Sequence, residues 1–138
     1  MAIQQGLTTS FKQEMLQAQQ NLLSDTLYIA LYEATADIGP NTTAYTATGE
    51  VTGTGYTAGG IELTGATISA ATNGTVYVDF DSVTWPASQI TARGALIYNT
   101  TQSNKSIAVL DFGSDKTMTN FTITMPTNTS STALIRFP

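Results

Sequence analysis

The sequence predicts a mainly β domain, an antiparallel β-sandwich or jelly-roll-like barrel with one N-terminal α-helix. Three observations carry that expectation. Thr occurs 26 times in 138 residues, against three Lys and four Glu, so β-branched side chains that favour extended backbone outnumber good helix formers. From Asp25 onward, short apolar-alternating segments recur at nearly even intervals between turn residues, the pattern of an antiparallel sandwich or barrel. Only one stretch has helical periodicity. A chain of this length forms one domain, so residues 1–9 read as an N-terminal arm and 10–138 as a single sandwich domain that includes the helix within 10–24.

The helix is placed over Phe11 to Leu23. Ser10 is a suitable N-cap with Gln13 at the reciprocal capping-box position, and Phe11, Met15, Ala18, Leu22 and Leu23 fall on one face. The opposite face, with Lys12, Gln13, Gln17, Gln20 and Asn21, is polar but nearly uncharged and reads as solvent surface. Strands follow at 26–33, 61–69, 75–85, 94–100, 106–113, 120–126 and 132–138, separated by turn signals such as "GPN", "NG", "SNK" and "GSDK". Asn73-Gly74 suits a tight hairpin turn because both residues tolerate positive φ. In "TVYVDFD", alternation sends Val76, Val78 and Phe80 to the core and Tyr77, Asp79 and Asp81 to solvent.

Composition excludes much chemistry. Without Cys there are no disulfides, thiolate metal sites or Cys nucleophiles, and without His the commonest general base and most zinc and iron sites are gone. Five basic residues (Lys12, Arg93, Lys105, Lys116, Arg136) against ten acidic ones never cluster, so a nucleic-acid partner is not expected. No run of eighteen apolar residues predicts a membrane helix, and the start "MAIQQGLTTSFKQEM" does not read as a secretory signal, so folding in a cytoplasm is expected.

The stretch "EVTGTGYTAGGIELTG" superficially resembles a phosphate-cradling loop. Such loops open a helix, whereas Ile61-Glu62-Leu63 alternates as a strand, and no Lys follows Gly60. The glycine-rich segment therefore reads as a turn, or as an adaptable contact loop in which Gly53, Gly55, Gly59 and Gly60 give pliability while Tyr45 and Tyr56 anchor a partner chain. The arm at 1–9, too polar for a core of its own, is expected to join it in contacting other chains. Asp79, Asp81, Asp111 and Asp115 are the only acids dense enough to suggest paired carboxylates or a calcium site. They read instead as solvated charge, and Trp85 reads as core rather than as a sugar-stacking platform. No catalytic residue, metal or cofactor is expected.

The order "SFKQEMLQAQQNLLSDTLYIALYEATADIGPNTTAYTATGEVTGTGYTAGG" followed by "ARGALIYNTTQSNKSIAVLDFGSDK" resembles a group of small structural proteins of tailed bacteriophages, from Ser10 to Lys116. The shared motifs are the "SFK" helix, "DT-x-x-IALY", "TGEV-x-GTGYTAGG", "RGALIY" and "VLDFG-x-DK". Size and β character are similar to capsid decoration, or cement, proteins, which clamp neighbouring subunits on the outer shell. The resemblance implies synthesis in a bacterial cytoplasm, a place on the virion surface, and the major capsid protein and copies of the same chain (a dimer or trimer) as partners. A tail or neck component, or a glycan-binding tail sandwich, is the alternative.

Overall fold

The computed structural model describes residues 2–86 and 89–137. Met1 and Pro138, at the ends of the expected arm and last strand, lie outside the described residues. Among the described residues the chain is mainly β, with antiparallel sheets and one short helix, and no sheet closes into a barrel. In chain order the elements are β1 (Gly6–Leu7), α1 (Thr9–Leu16), β2 (Leu27–Tyr32), β3 (Ile61–Leu63), β4 (Thr67–Ala70), β5 (Val76–Asp79), β6 (Val83–Trp85), β7 (Ile90–Asn99), β8 (Lys105–Met118), β9 (Phe121–Ile123) and β10 (Ile135–Phe137). They build a five-stranded sheet in the order β1-β8-β7-β2-β3, a three-stranded sheet β10-β5-β4 and a pair β6-β9.

Period-two alternation gives the large sheet two apolar faces. Leu27, Ile29 and Leu31 of β2, with Ala95 and Ile97 of β7 and Ile107 of β8, join Val78, Ile135, Val83, Trp85 and Phe121 of the smaller sheets and Phe11 of α1 in one core. The other face, with Ala30, Tyr32, Leu96, Tyr98 and Val109, packs against Ile3, Ala36 and Ile38. A sheet buried on both faces needs a cover on each side. On the second face that cover is the long connection 33–60 together with the chain's first residues.

Several expectations are corrected. Within the expected arm at 1–9, Ile3 is buried and bridges Ile38 and Gly6–Leu7 pairs with β8, so these residues dock on their own domain. The helix starts two residues early, because Thr8, not Ser10, caps it by accepting from the Phe11 N–H at 3.2 Å, while the Ser10 hydroxyl faces Ser106 Oγ at 3.3 Å. It also stops seven residues early. Ala18 turns left-handed (φ 57°), and the buried Gln20 amide donates to Glu14 Oε1 and the Ser106 carbonyl and accepts from Asn99. Leu22 is core as expected, but Leu23 is exposed.

The expected strand 61–69 breaks at Gly65, and 75–85 breaks after Asp79, so that Val78 serves one sheet and Val83 and Trp85 another. Val76 is exposed, and Asp79 is buried with its Oδ1 accepting from the Phe80 N–H. At the Asn73-Gly74 turn only Gly74 takes positive φ; Asn73 instead caps the Thr75 N–H with its side chain.

Phe11 is fully buried while Leu16, on the same helix, is 90% exposed. Phe11→Ala should therefore cost about 3–5 kcal/mol in urea unfolding, and Leu16→Ala no more than about 0.5 kcal/mol. Equal losses would contradict this placement of the helix.

Candidate functional site

The glycine-rich segment closes over the open edge of β2. β3 pairs with only half of β2, through Leu27, Tyr28 and Ile29. Beyond it, residues 49–51 take over as an irregular edge: Glu33 N–H donates to the Gly49 carbonyl and Val51 N–H to the Leu31 carbonyl, both at 2.9 Å, with Glu50 opposite Tyr32. Between these two partial strands the Leu31 N–H would be left without a carbonyl. It donates instead to the Tyr56 hydroxyl at 2.9 Å, so a side chain takes the place of a strand.

Glu50 organises the rest. It is 6% exposed, and both of its oxygens are occupied. Oε1 accepts from Tyr45 Oη at 2.5 Å; Oε2 accepts from Tyr56 Oη at 2.6 Å and from the Gly59 N–H at 2.7 Å. Tyr98 Oη donates to the Gly59 carbonyl and Tyr32 Oη to the Thr46 carbonyl, each at 2.6 Å. Charge-assisted bonds of this length are the strong class of protein hydrogen bond and offset the cost of burying a carboxylate. The rings add packing on both faces of the sheet. Tyr45 stacks on Tyr98 with centroids 4.8 Å apart, and Tyr56 on Trp85 at 6.4 Å, with Phe121 edge-on beyond it.

Gly60 makes this approach possible. Its φ is +82°, and a Cβ there would lie 1.9 Å from the Ile29 carbonyl oxygen, so only glycine lets the loop rejoin β2. Of the other residues singled out by sequence, Tyr45 and Gly59 are half-buried, and Gly53 and Gly55 form an exposed tip. Tyr56, expected to point outward as an anchor for a partner, is buried and spends its ring and hydroxyl inside its own domain. Sequence reasoning missed Glu50, Tyr32 and Tyr98. The available signal was one acid standing alone in the neutral run "TATGEVTGTG".

The remaining candidates are scattered. Asp79 is buried and its carboxyl is pushed above the ordinary range by desolvation, whereas Asp81 is exposed beside Thr64. Asp111 pairs with Arg93 at 3.4 Å and accepts from the Gly113 N–H. Among the described residues no cluster of three or more His, Cys, Asp or Glu could hold a metal. Trp85 lies in the core, while Tyr77, the other aromatic near Asp79 and Asp81, is half-buried. Comparison with protein-family models, with curated proteins and with solved structures finds no match for this chain.

Two outcomes follow from the clamp. Tyr56→Phe strands the Leu31 N–H and removes one donor from Glu50, which should cost about 1–3 kcal/mol in urea unfolding while the β circular-dichroism spectrum persists. A neutral substitution would mean that water replaces the hydroxyl without loss. The Tyr56, Tyr45 and Tyr32 phenols are held well above the ordinary value of 10.0, by burial first and then by Glu50, and burial likewise pushes Tyr98 up to about 12. Unfolding frees these phenols to ionise earlier, so their contribution is full below about pH 10 and is lost as pH rises through the folded-state values. Absorbance of tyrosinate should therefore show a late-titrating group near pH 12 or beyond, appearing together with loss of structure. A smooth titration of every Tyr around pH 10 in the folded protein would contradict the clamp.

Proposed function

We propose that this chain is a structural virion protein of a tailed bacteriophage, a decoration or cement protein that binds the outer shell and ties neighbouring capsid subunits together. One observation carries the reading. The motifs behind the sequence resemblance coincide with the elements that make the fold: "IALY" lies in β2, "RGALIY" in β7, "VLDFG" in β8, and the glycine motif supplies Glu50, Tyr56, Gly59 and Gly60 to the clamp. What is most distinctive in the sequence is thus spent on rigidity. The clamp carboxylate is saturated by donors. A protein of this kind acts through its shape and surface.

Thermodynamics supports the role. A stiff domain that binds only the assembled shell stabilises it by mass action in proportion to occupancy. A formal charge of -5 with dispersed basic residues suits an outer position better than contact with packaged DNA. The glycan-binding alternative drew on Trp85 and Tyr77 beside Asp79 and Asp81; with Trp85 and Asp79 buried, it keeps only the half-buried Tyr77 and the exposed Asp81.

Mass spectrometry of purified particles, with cryo-electron microscopy of the same sample, tests this. The expected result is the chain in many copies on the outer capsid, with shells stripped of it releasing DNA at a lower temperature and recovering on its return. Restricted density at the tail or neck would move the chain to the alternative position, and absence from particles would overturn the virion reading. Treatment with a chelator should change neither the melting temperature nor particle binding.

A further inference from the structure

Among the described residues strand β4 is an open edge with neither charge nor proline to guard it. It pairs on one side with β5 and on the other with no described strand, and its residues are Thr67, Ile68, Ser69 and Ala70. Edges of this kind are templates for another strand, which is why most proteins guard them. The opposite edge of the same sheet, β10, is short and bears Arg136. The Ala71 N–H donates to the Thr75 carbonyl, so by antiparallel alternation Ser69 and Thr67 bond toward β5 while Ile68 and Ala70 direct N–H and C=O groups outward.

The side chains add a second observation. Register places Ile68, Ala70, Val76, Val78, Ile135 and Phe137 on one face of the three-stranded sheet. Val78 and Ile135 are core, but the face runs on past it: Ile68 is 43% and Val76 39% exposed. An outward hydrogen-bonding row and an uncovered apolar face thus end at the same edge.

We infer that β4 pairs antiparallel with β4 of a second copy about a two-fold axis through Ser69, joining two three-stranded sheets into one of six strands. A second copy is the occupant because the edge is self-complementary. Ile68 of each chain meets the small Ala70 of the other on the apolar face, and Ile68 and Ala70 are the residues whose backbone groups point outward. The strand is neutral, so two negatively charged chains meet where no like charges are juxtaposed. Isologous pairing also closes, using up both β4 edges, while Arg136 on β10 disfavours head-to-tail growth. A four-residue strand makes a small interface, so association is concentration-dependent in solution and strengthens where copies are held side by side. This pairing deepens the oligomer expectation but does not rest on the virion reading.

The full-length protein tests it by sedimentation. The expected result is a rise with concentration toward twice the 14.6 kDa chain mass. At the axis, opposed residues of a non-hydrogen-bonded pair have Cα atoms roughly 4.5 Å apart, within disulfide range. Because the chain has no Cys of its own, Ser69→Cys should give a disulfide-linked dimer on mild oxidation, and Thr67→Cys, offset from the axis, should not. Ala70→Pro removes an outward N–H and Ile68→Lys puts a charge at the edge. Each should abolish dimerisation while the β circular-dichroism spectrum is kept, and having two variants guards against one failing to fold. A wild-type mass that stays at one chain at the highest soluble concentration overturns the proposal. So does a dimer that survives both substitutions, an open-ended polymer, or cross-linking through Thr67→Cys but not Ser69→Cys.

Discussion

A strand with only half a partner is the constraint on which this structure depends. β2 runs through the middle of the core, yet β3 covers just its first residues, and the backbone beyond has to be satisfied by irregular chain. An unpaired N–H in such a place carries a penalty comparable to a lost hydrogen bond. The Tyr56 hydroxyl removes the deficit at Leu31, and Glu50 fixes that hydroxyl by accepting its proton. The carboxylate also holds Tyr45, on the other face of the sheet. One side chain at the sheet edge thereby ties together layers that the sheet itself separates.

The long connection 33–60 owes its order to the same group. Connections of that length without secondary structure are uncommon in compact domains because the entropy of fixing them must be offset. Here Ala36 and Ile38 bury apolar surface on the outer face of β2 and β7, and the Glu50 and Tyr98 contacts close the far end. The loop behaves as a layer of the fold rather than as an appendage, which explains why a sheet of five strands can be apolar on both faces without a second helix to cover it.

Much of the fold was legible because strand alternation is local: the segments at β2, β7 and β8 are visible in six to eight residues each. Features set by distant partners were not. The start of the helix turned on whether Thr8 or Ser10 capped it, and Ser10 was claimed by Ser106. Gln20 looked like solvent surface until Asn99 and the Ser106 carbonyl received it. The division of 75–85 between two sheets falls where Asp79 Oδ1 accepts from its own neighbour's N–H. Glu50 was the hardest to read, since acids are solvated by default and its donors come from positions 45, 56 and 59. Tyr45, Tyr56, Gly59 and Gly60, singled out as contacts for a partner chain, take part in the clamp with Tyr56 facing inward, while Gly53 and Gly55 stand at its exposed tip.

The pairing of β1 with β8 has a bearing on how the chain acquires its shape during synthesis. Gly6 and Leu7 lie beside Val109 and Ala108, and the Thr8 N–H donates to the Ile107 carbonyl, so residues 6–8 lack their partner strand until residues 107–109 have been made, although Ile3 can already meet Ile38. At about 5–20 residues per second a ribosome takes roughly 5–20 s to supply that partner strand. Closure of the sheet at β1 is then a late event that waits on long-range pairing rather than on the local helix.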